Sequence, residues 1–113
     1  LISSTLITLF SLISLSGVVV FLRTGNDRPY PQLRPIQIIA LTFFTCTHLG
    51  FLLLGIFSFI MHAPIQWVIS GMAAVILSRV GNGHFLFGKN NWQHYLVTGG
   101  WMACILVLQI SGL

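Results

Sequence analysis

The chain has 113 residues, of which 56% are hydrophobic and 5% charged, with a mean hydropathy of +0.95. A soluble domain carries about a quarter charged residues, so this balance excludes the soluble globular class and predicts an integral membrane protein. The net charge of +4 comes from five dispersed basic residues against one acid, Asp27, which is not the clustered basic surface that a nucleic acid requires.

Four apolar runs follow in chain order, at residues 1–22, 36–61, 65–87 and 95–113. Each is near the roughly 20 residues an α-helix needs to cross about 30 Å of hydrocarbon. The expected fold class is therefore all-α: a single unit of four transmembrane helices in a bundle, with no internal repeat. The first run has no basic leading segment and ends at Arg23 rather than at a small-residue cleavage site, so it reads as a spanning helix and not as a signal peptide. The sequence opens without Met inside apolar residues, and a start lying further upstream is expected.

Between the first two runs lies RTGNDRPYPQLRP, a loop with three prolines that also holds Arg23, Asp27, Arg28 and Arg34. The next connection, His62-Ala63-Pro64, has no charge, whereas Arg79 and Lys89 flank the last one. Excess Lys and Arg mark the inner side of a membrane. Both basic loops are thus predicted to face the cytoplasm or matrix, with the chain ends and the His62 turn opposite.

Several residues invite chemistry. His48 falls near the middle of the second helix, where a polar side chain must be paired or serve a purpose. Bis-histidine haem ligation would need a partner at the same depth, but His62 sits at the outer end and His84 and His94 near the inner end. His48 is therefore read as structural, satisfied by Thr45 or a neighbouring helix, and no metal or cofactor is expected to be held by this chain. Cys46 and Cys104 lack CxxC spacing and read as buried thiols. Asp27, in a loop, leaves the helices without an acid to relay protons. No catalytic set has recognisable spacing, so no catalytic residue is assigned.

Packing chemistry is more visible. Ser70, Ala74 and Ser78, and likewise Gly99 and Ala103, recur every fourth residue and let helices approach closely in lipid. Leu52, Phe59, Ile76 and Leu106 are expected to face lipid or further subunits. Trp67, Trp92 and Tyr95 fall at the predicted membrane boundaries, as aromatic belts do. Arg79, Lys89, Trp92 and His94 lie close in sequence at the inner surface and are the candidate set for an anionic phospholipid headgroup. The competing reading is that the two cations only reach into bulk headgroups.

From His84 onward the sequence resembles the last helix of cytochrome c oxidase subunit III, of the haem-copper oxidase family, which reads H-F-G-F-E-A-A-A-W-Y-W-H-F-V-D-V-V-W. Without gaps, His84, Phe85, Phe87, Trp92, Val97 and Trp101 coincide. Gly88 stands where the family has Glu, Tyr95 where it has His, and Thr98 where it has Asp. Earlier, TFFTCTHLGFLLLGIF is similar to a second family stretch through Thr42, Phe43, Phe44 and Thr47, and then His48 and Gly55 after a two-residue gap. The resemblance implies the C-terminal half of a divergent, non-redox oxidase subunit in a respiratory chain. It implies packing beside the catalytic subunit, bound phospholipid and no haem or copper of its own. The membrane would be the mitochondrial inner membrane or the bacterial plasma membrane. Other readings are an accessory subunit of another energy-converting complex, a small self-associating pore of the holin kind, or a small transporter.

Overall fold

The computed structural model describes residues 1–24, 34–86, 88 and 90–113. Asp27, Arg28, Phe87 and Lys89 lie outside the described residues, and with them part of the charge pattern and one of the residues matched to the oxidase family. Four helices follow one another: α1 (Ile2–Arg23), α2 (Pro35–Ile60), α3 (Ile65–Phe85) and α4 (Trp92–Ile110). No strand occurs among the described residues. Helices α1 and α2 are long and apolar enough to cross a membrane.

The helix ends follow local chemistry. Pro35 opens α2 at the position where its missing N–H costs nothing, and the Arg34 N–H donates to Gln37 Oε1 at 2.9 Å. Helix α4 begins at Trp92, three residues before the apolar run, because the Asn91 side chain accepts from the Gln93 N–H at 3.1 Å and caps it. It also stops short of the end of the run. Gly112 takes φ 79°, which lets Gly112 N–H reach Gln109 O at 3.2 Å and Leu113 N–H reach Leu108 O at 2.8 Å. That paired closure needs a left-handed residue after the helix, a conformation glycine adopts without strain.

Each helix turns one narrow stripe inward, in steps of three and four residues. In α2 the buried stripe is Ala40, Phe44, His48, Phe51, Gly55 and Ser58, and in α4 it is Thr98, Met102, Ile105 and Gln109. Such alternation keeps a seam facing its neighbours along slightly inclined helices. The stripes make a ring in which α1 and α3 each touch both α2 and α4, and α4 is the helix packed least closely. Phe10 sits at the centre, with Phe51 of α2 edge-on at 6.3 Å and Trp101 of α4 at 5.8 Å between centroids. Around it Ile7, Val68, Met72, Val75, Met102 and Ile105 complete the core.

Two glycines set how closely the helices meet. A Cβ on Gly55 would stand 2.7 Å from Thr8 Oγ1 and 2.9 Å from Ile7 Cγ2, so α1 presses on bare α2 backbone there. A Cβ on Gly71 would meet the Phe51 ring at 2.8 Å, fixing the α2–α3 contact. The inward side of α1 is mixed, with Ser3, Ser4, Ser11 and Ser14 buried beside Ile7 and Phe10. The close seam is therefore built from Ile7 and Thr8 of α1 against Gly55 of α2. Of the small residues singled out in sequence, Ser78 is buried and Ala74 half-buried, whereas Ser70, Gly99 and Ala103 point out of the chain.

The two ends of the ring differ. At one, Gln109 in α4 accepts from Ser3 Oγ at 2.9 Å and donates to the Ala63 carbonyl at 2.9 Å, joining α4 to α1 and to the α2–α3 turn. Beside it the Leu113 carbonyl accepts from Ile2 N–H at 2.6 Å, which satisfies a free donor at the start of α1. At the other end, Gln37 Nε2 donates to the Phe85 carbonyl at 3.1 Å and ties α2 to α3, but α4 has no equivalent tie there among the described residues. Gln37 and Phe85 thus lie at one end and the chain ends at the other.

Gly55→Ala should lower the unfolding midpoint of the purified chain, because overpacking a tight contact costs about 1–3 kcal/mol. Gly50→Ala, in the same helix with nothing within 4 Å of its Cβ, should leave the midpoint unchanged or raise it. Thermal unfolding followed by circular dichroism in detergent checks the pair, and equal midpoints would remove Gly55 from the seam.

Candidate functional site: a cleft around Arg79

At the end of the ring opposite Gln109, a cleft of about 590 Å³ opens among all four helices. One wall is apolar, from Ile13, Gly17, Val18 and Phe21 of α1 with Leu41 of α2. The other is polar, from Asn82 of α3, Asn90 and Asn91 of the last connection, and His94, Tyr95 and Thr98 of α4. Helical spacing explains the α4 part of the second set, since Thr98 lies four residues after His94 and three after Tyr95 and so neighbours both on the helix surface. The Tyr95 hydroxyl donates to Asn90 Oδ1, which holds the connection against α4.

Arg79 projects into this space. Its Nη2 donates to Ser14 Oγ at 2.7 Å, and its guanidinium lies 4.9 Å from the Phe10 ring centroid and 5.7 Å from that of Phe44. Ring faces attract a cation, more so out of water. The side chain therefore folds inward from α3 toward α1, its diagonal neighbour in the ring, instead of extending to the outer surface. No acidic side chain is among the described residues, and Arg79 Nε and Asn82 Oδ1 are both buried without a hydrogen-bond partner among them. Asn82 as a whole is 8% exposed. A buried donor and a buried acceptor left open on one wall make a place where an oxyanion and a hydrogen-bond donor can both be received.

His48 belongs to the layer beneath. It is fully buried, stacked on Phe44 at 4.0 Å and facing Phe10 at 6.0 Å. Its Nδ1 pairs with the Phe44 carbonyl at 2.8 Å. The expected partner Thr45 is occupied elsewhere, donating to the Leu41 carbonyl at 2.8 Å. Nε2 of His48 is a third buried atom without a partner among the described residues. Among those residues no group of three His, Cys, Asp or Glu comes together.

Of the headgroup set, Arg79 and His94 line the same cleft, Trp92 stands outside it at 68% exposed, and Lys89 is outside the described residues. Tyr95 lines the cleft half-buried, while Trp67 lies on the surface against Phe57. Cys46 and Cys104 are exposed, not buried as expected, because each falls between the inward positions of its helix. Of the apolar residues assigned outward, Phe59 and Ile76 are exposed, whereas Leu106 packs against the core beside Met102 and Ile105. Ser14, Asn82 and Gln109 escaped sequence reasoning, although each is a polar residue at a step of three or four within its helix's buried stripe.

The residues matched to the oxidase family are spread over the molecule. Phe44 and Gly55 are inside, and Trp101 donates its Nε1–H to the Leu6 carbonyl at 3.1 Å. Phe43, His84, Trp92 and Val97 are exposed or partly so. No family model, curated protein or solved structure matches the chain.

His48→Leu should stay within about 1 kcal/mol of wild-type stability. The Phe44 carbonyl keeps its place in the helix ladder, and the change removes the unpartnered Nε2. Phe51→Ala, which empties a fully packed site, should cost about 3–5 kcal/mol. Unfolding of both variants in detergent gives the comparison, and a loss for His48→Leu as large as for Phe51→Ala would assign the imidazole more than a packing role.

Proposed function

We propose that this chain is a non-catalytic, four-span helical subunit of a larger membrane complex. On the resemblance to subunit III, that complex is a terminal cytochrome c oxidase of a respiratory chain. The observation that carries the subunit reading is the outer face of α4. Gly99 and Gly100 are exposed with nothing within 4 Å of where a Cβ would stand. Ala103 and Cys104 continue the exposed surface along the helix, between Val97 and Val107. A backbone uncovered in this way allows close approach of another helix, which in lipid is a main source of association energy. Ser70 offers a second small outward residue on α3. In this reading α3 and α4 cross the bilayer with α1 and α2, and the connections at Arg34 and Gly88 lie on the inner side.

Two measurements test it. Single cysteines at Arg34 and Gly88, in a chain with Cys46 and Cys104 replaced by Ser, should both label from the inner face of sealed vesicles, and Ser111→Cys from the outer. Labelling of the first two from opposite faces would overturn the four-span topology. Tagged chain drawn from its own membranes in mild detergent should then carry haem absorbance and cytochrome c oxidase activity in stoichiometric amount. Elution with a different redox complex would move the chain to that complex, and elution as a homo-oligomer that leaks dye from vesicles would establish the pore instead.

A further inference from the structure

We propose that the cleft around Arg79 is a docking socket for a transmembrane helix of a different protein, which presents a carboxylate and, one helical turn away, a hydroxyl or amide donor. The proposal rests on the subunit reading, in which the helices cross a bilayer and the chain joins a larger complex. Arg79 brings a positive charge to a wall where no acidic side chain among the described residues answers it. Ionisable residues inside a membrane pair with one another, and a carboxylate is an acceptor that a guanidinium holds well. Arg79 Nε–H is buried and open among the described residues, and so is Oδ1 of Asn82, which is more than nine-tenths buried and lines the same cleft. The Asn82 oxygen calls for a donor, which a carboxylate lacks. Arg79 and Asn82 stand three residues apart in α3 and share a face. Two groups at a similar step on a facing helix therefore answer both, an acid to Arg79 and a Ser, Thr, Asn or Gln to Asn82.

The surroundings select a protein segment that lies in the membrane. Ile13 and Gly17 of α1 line the cleft and are exposed, so the approach to Arg79 passes an apolar wall that favours a helix in hydrocarbon over a water-soluble acidic loop. The volume of about 590 Å³, against about 30 Å³ for one liquid water, admits several side chains and exceeds what a lone ion needs. The partner is not a second copy of the chain. Five basic residues stand against one acid, so a second copy brings mostly like charge, which opposes association. The small residues of α4 permit close approach of any helix, whereas the cleft chooses among helices by charge.

The test places the whole 113-residue chain in phosphatidylcholine vesicles in mildly alkaline buffer, with leucine-rich transmembrane peptides as the probe. One peptide carries Glu at the depth of Arg79 and Ser one helical turn away, and the others replace Glu by Gln or Lys, or Ser by Ala. Association is read as energy transfer between a dye on the peptide and one attached through Ser111→Cys, with Cys46 and Cys104 replaced by Ser. The Glu-Ser peptide should associate at least tenfold more tightly than the Gln-Ser or Lys-Ser peptide, with Glu-Ala between. Arg79→Gln should bring the Glu-Ser peptide down to the level of Gln-Ser, and Arg79→Glu should reverse the preference to Lys-Ser. Because Arg79 also bridges to Ser14 and its loss disturbs packing, Gly17→Leu supplies a further variant. A Cβ on Gly17 meets nothing within 4 Å, so the leucine narrows the approach without a clash, and it should weaken Glu-Ser association severalfold while leaving the unfolding midpoint unchanged. Equal association of the Glu-Ser and Gln-Ser peptides with wild type would overturn the proposal, as would a Glu-Ser preference that Gly17→Leu leaves intact. So would phosphatidylglycerol abolishing that preference when equimolar with the peptide, since the cleft would then belong to a headgroup. The assay contains no oxidase subunit, so it can fail while the chain still co-purifies with an oxidase through another face, and it can succeed where the chain joins a different complex.

Discussion

Gln109 is where three separate segments meet. Its side-chain oxygen takes the Ser3 hydroxyl and its nitrogen reaches the Ala63 carbonyl and, at 3.3 Å, His62 Nε2. A primary amide can make several hydrogen bonds, and inside an apolar assembly each one left unmade costs about 1–3 kcal/mol. The surrounding segments are therefore held to the one arrangement that satisfies it. Helix α4 makes fewer contacts than its neighbours and depends most on this end, together with the Trp101 bond to the Leu6 carbonyl. The cleft lies at the other end, where α4 buries no residue before Thr98.

The same rule explains the contrast between the two ends. At the Gln109 end the buried polar groups find one another. At the far end Arg79 is answered in part by Ser14 and by the Phe10 and Phe44 rings, while its Nε and the Asn82 oxygen are left open among the described residues. Phe10 connects the two regimes, since it packs on Phe51 and Trp101 of the core and also lies under the guanidinium. Buried polar groups are thus satisfied at one end of the molecule and left open among the described residues at the other. Functional sites are commonly where local satisfaction gives way.

The helices were legible because hydrophobic run length is a one-dimensional signal. The α2 run beginning at residue 36 and the α3 run beginning at 65 lie within a residue of the observed starts at Pro35 and Ile65. The start of α4 was not visible in hydropathy, because an Asn cap and a polar first turn precede the apolar run. Inward faces were harder to read. In a chain this apolar the polar residues mark the buried stripe as much as the apolar ones do, so Ser3, Ser14, Asn82 and Gln109 were the informative positions and Leu and Val were not. Small residues misled for a related reason. A four-residue repeat shows where a close approach is permitted, and Gly99 and Ala103 turn outward while Gly55 makes the contact inside the chain. Arg79 could be placed in depth from sequence, but its inward turn depends on Ser14, 65 positions away in the chain, which no local pattern connects to it.

The most direct test of the closed and open ends is the distance between spin labels at Ile69 of α3 and Val107 of α4, in lipid nanodiscs, with Cys46 and Cys104 replaced by Ser. Both positions are exposed and lie toward the Gln109 end. The account predicts one narrow distance distribution that lengthens and broadens when Gln109 is changed to Leu, while labels at Val20 and Ile39, on α1 and α2 at the cleft end, keep theirs. An Ile69–Val107 distribution that does not change with Gln109→Leu would contradict it.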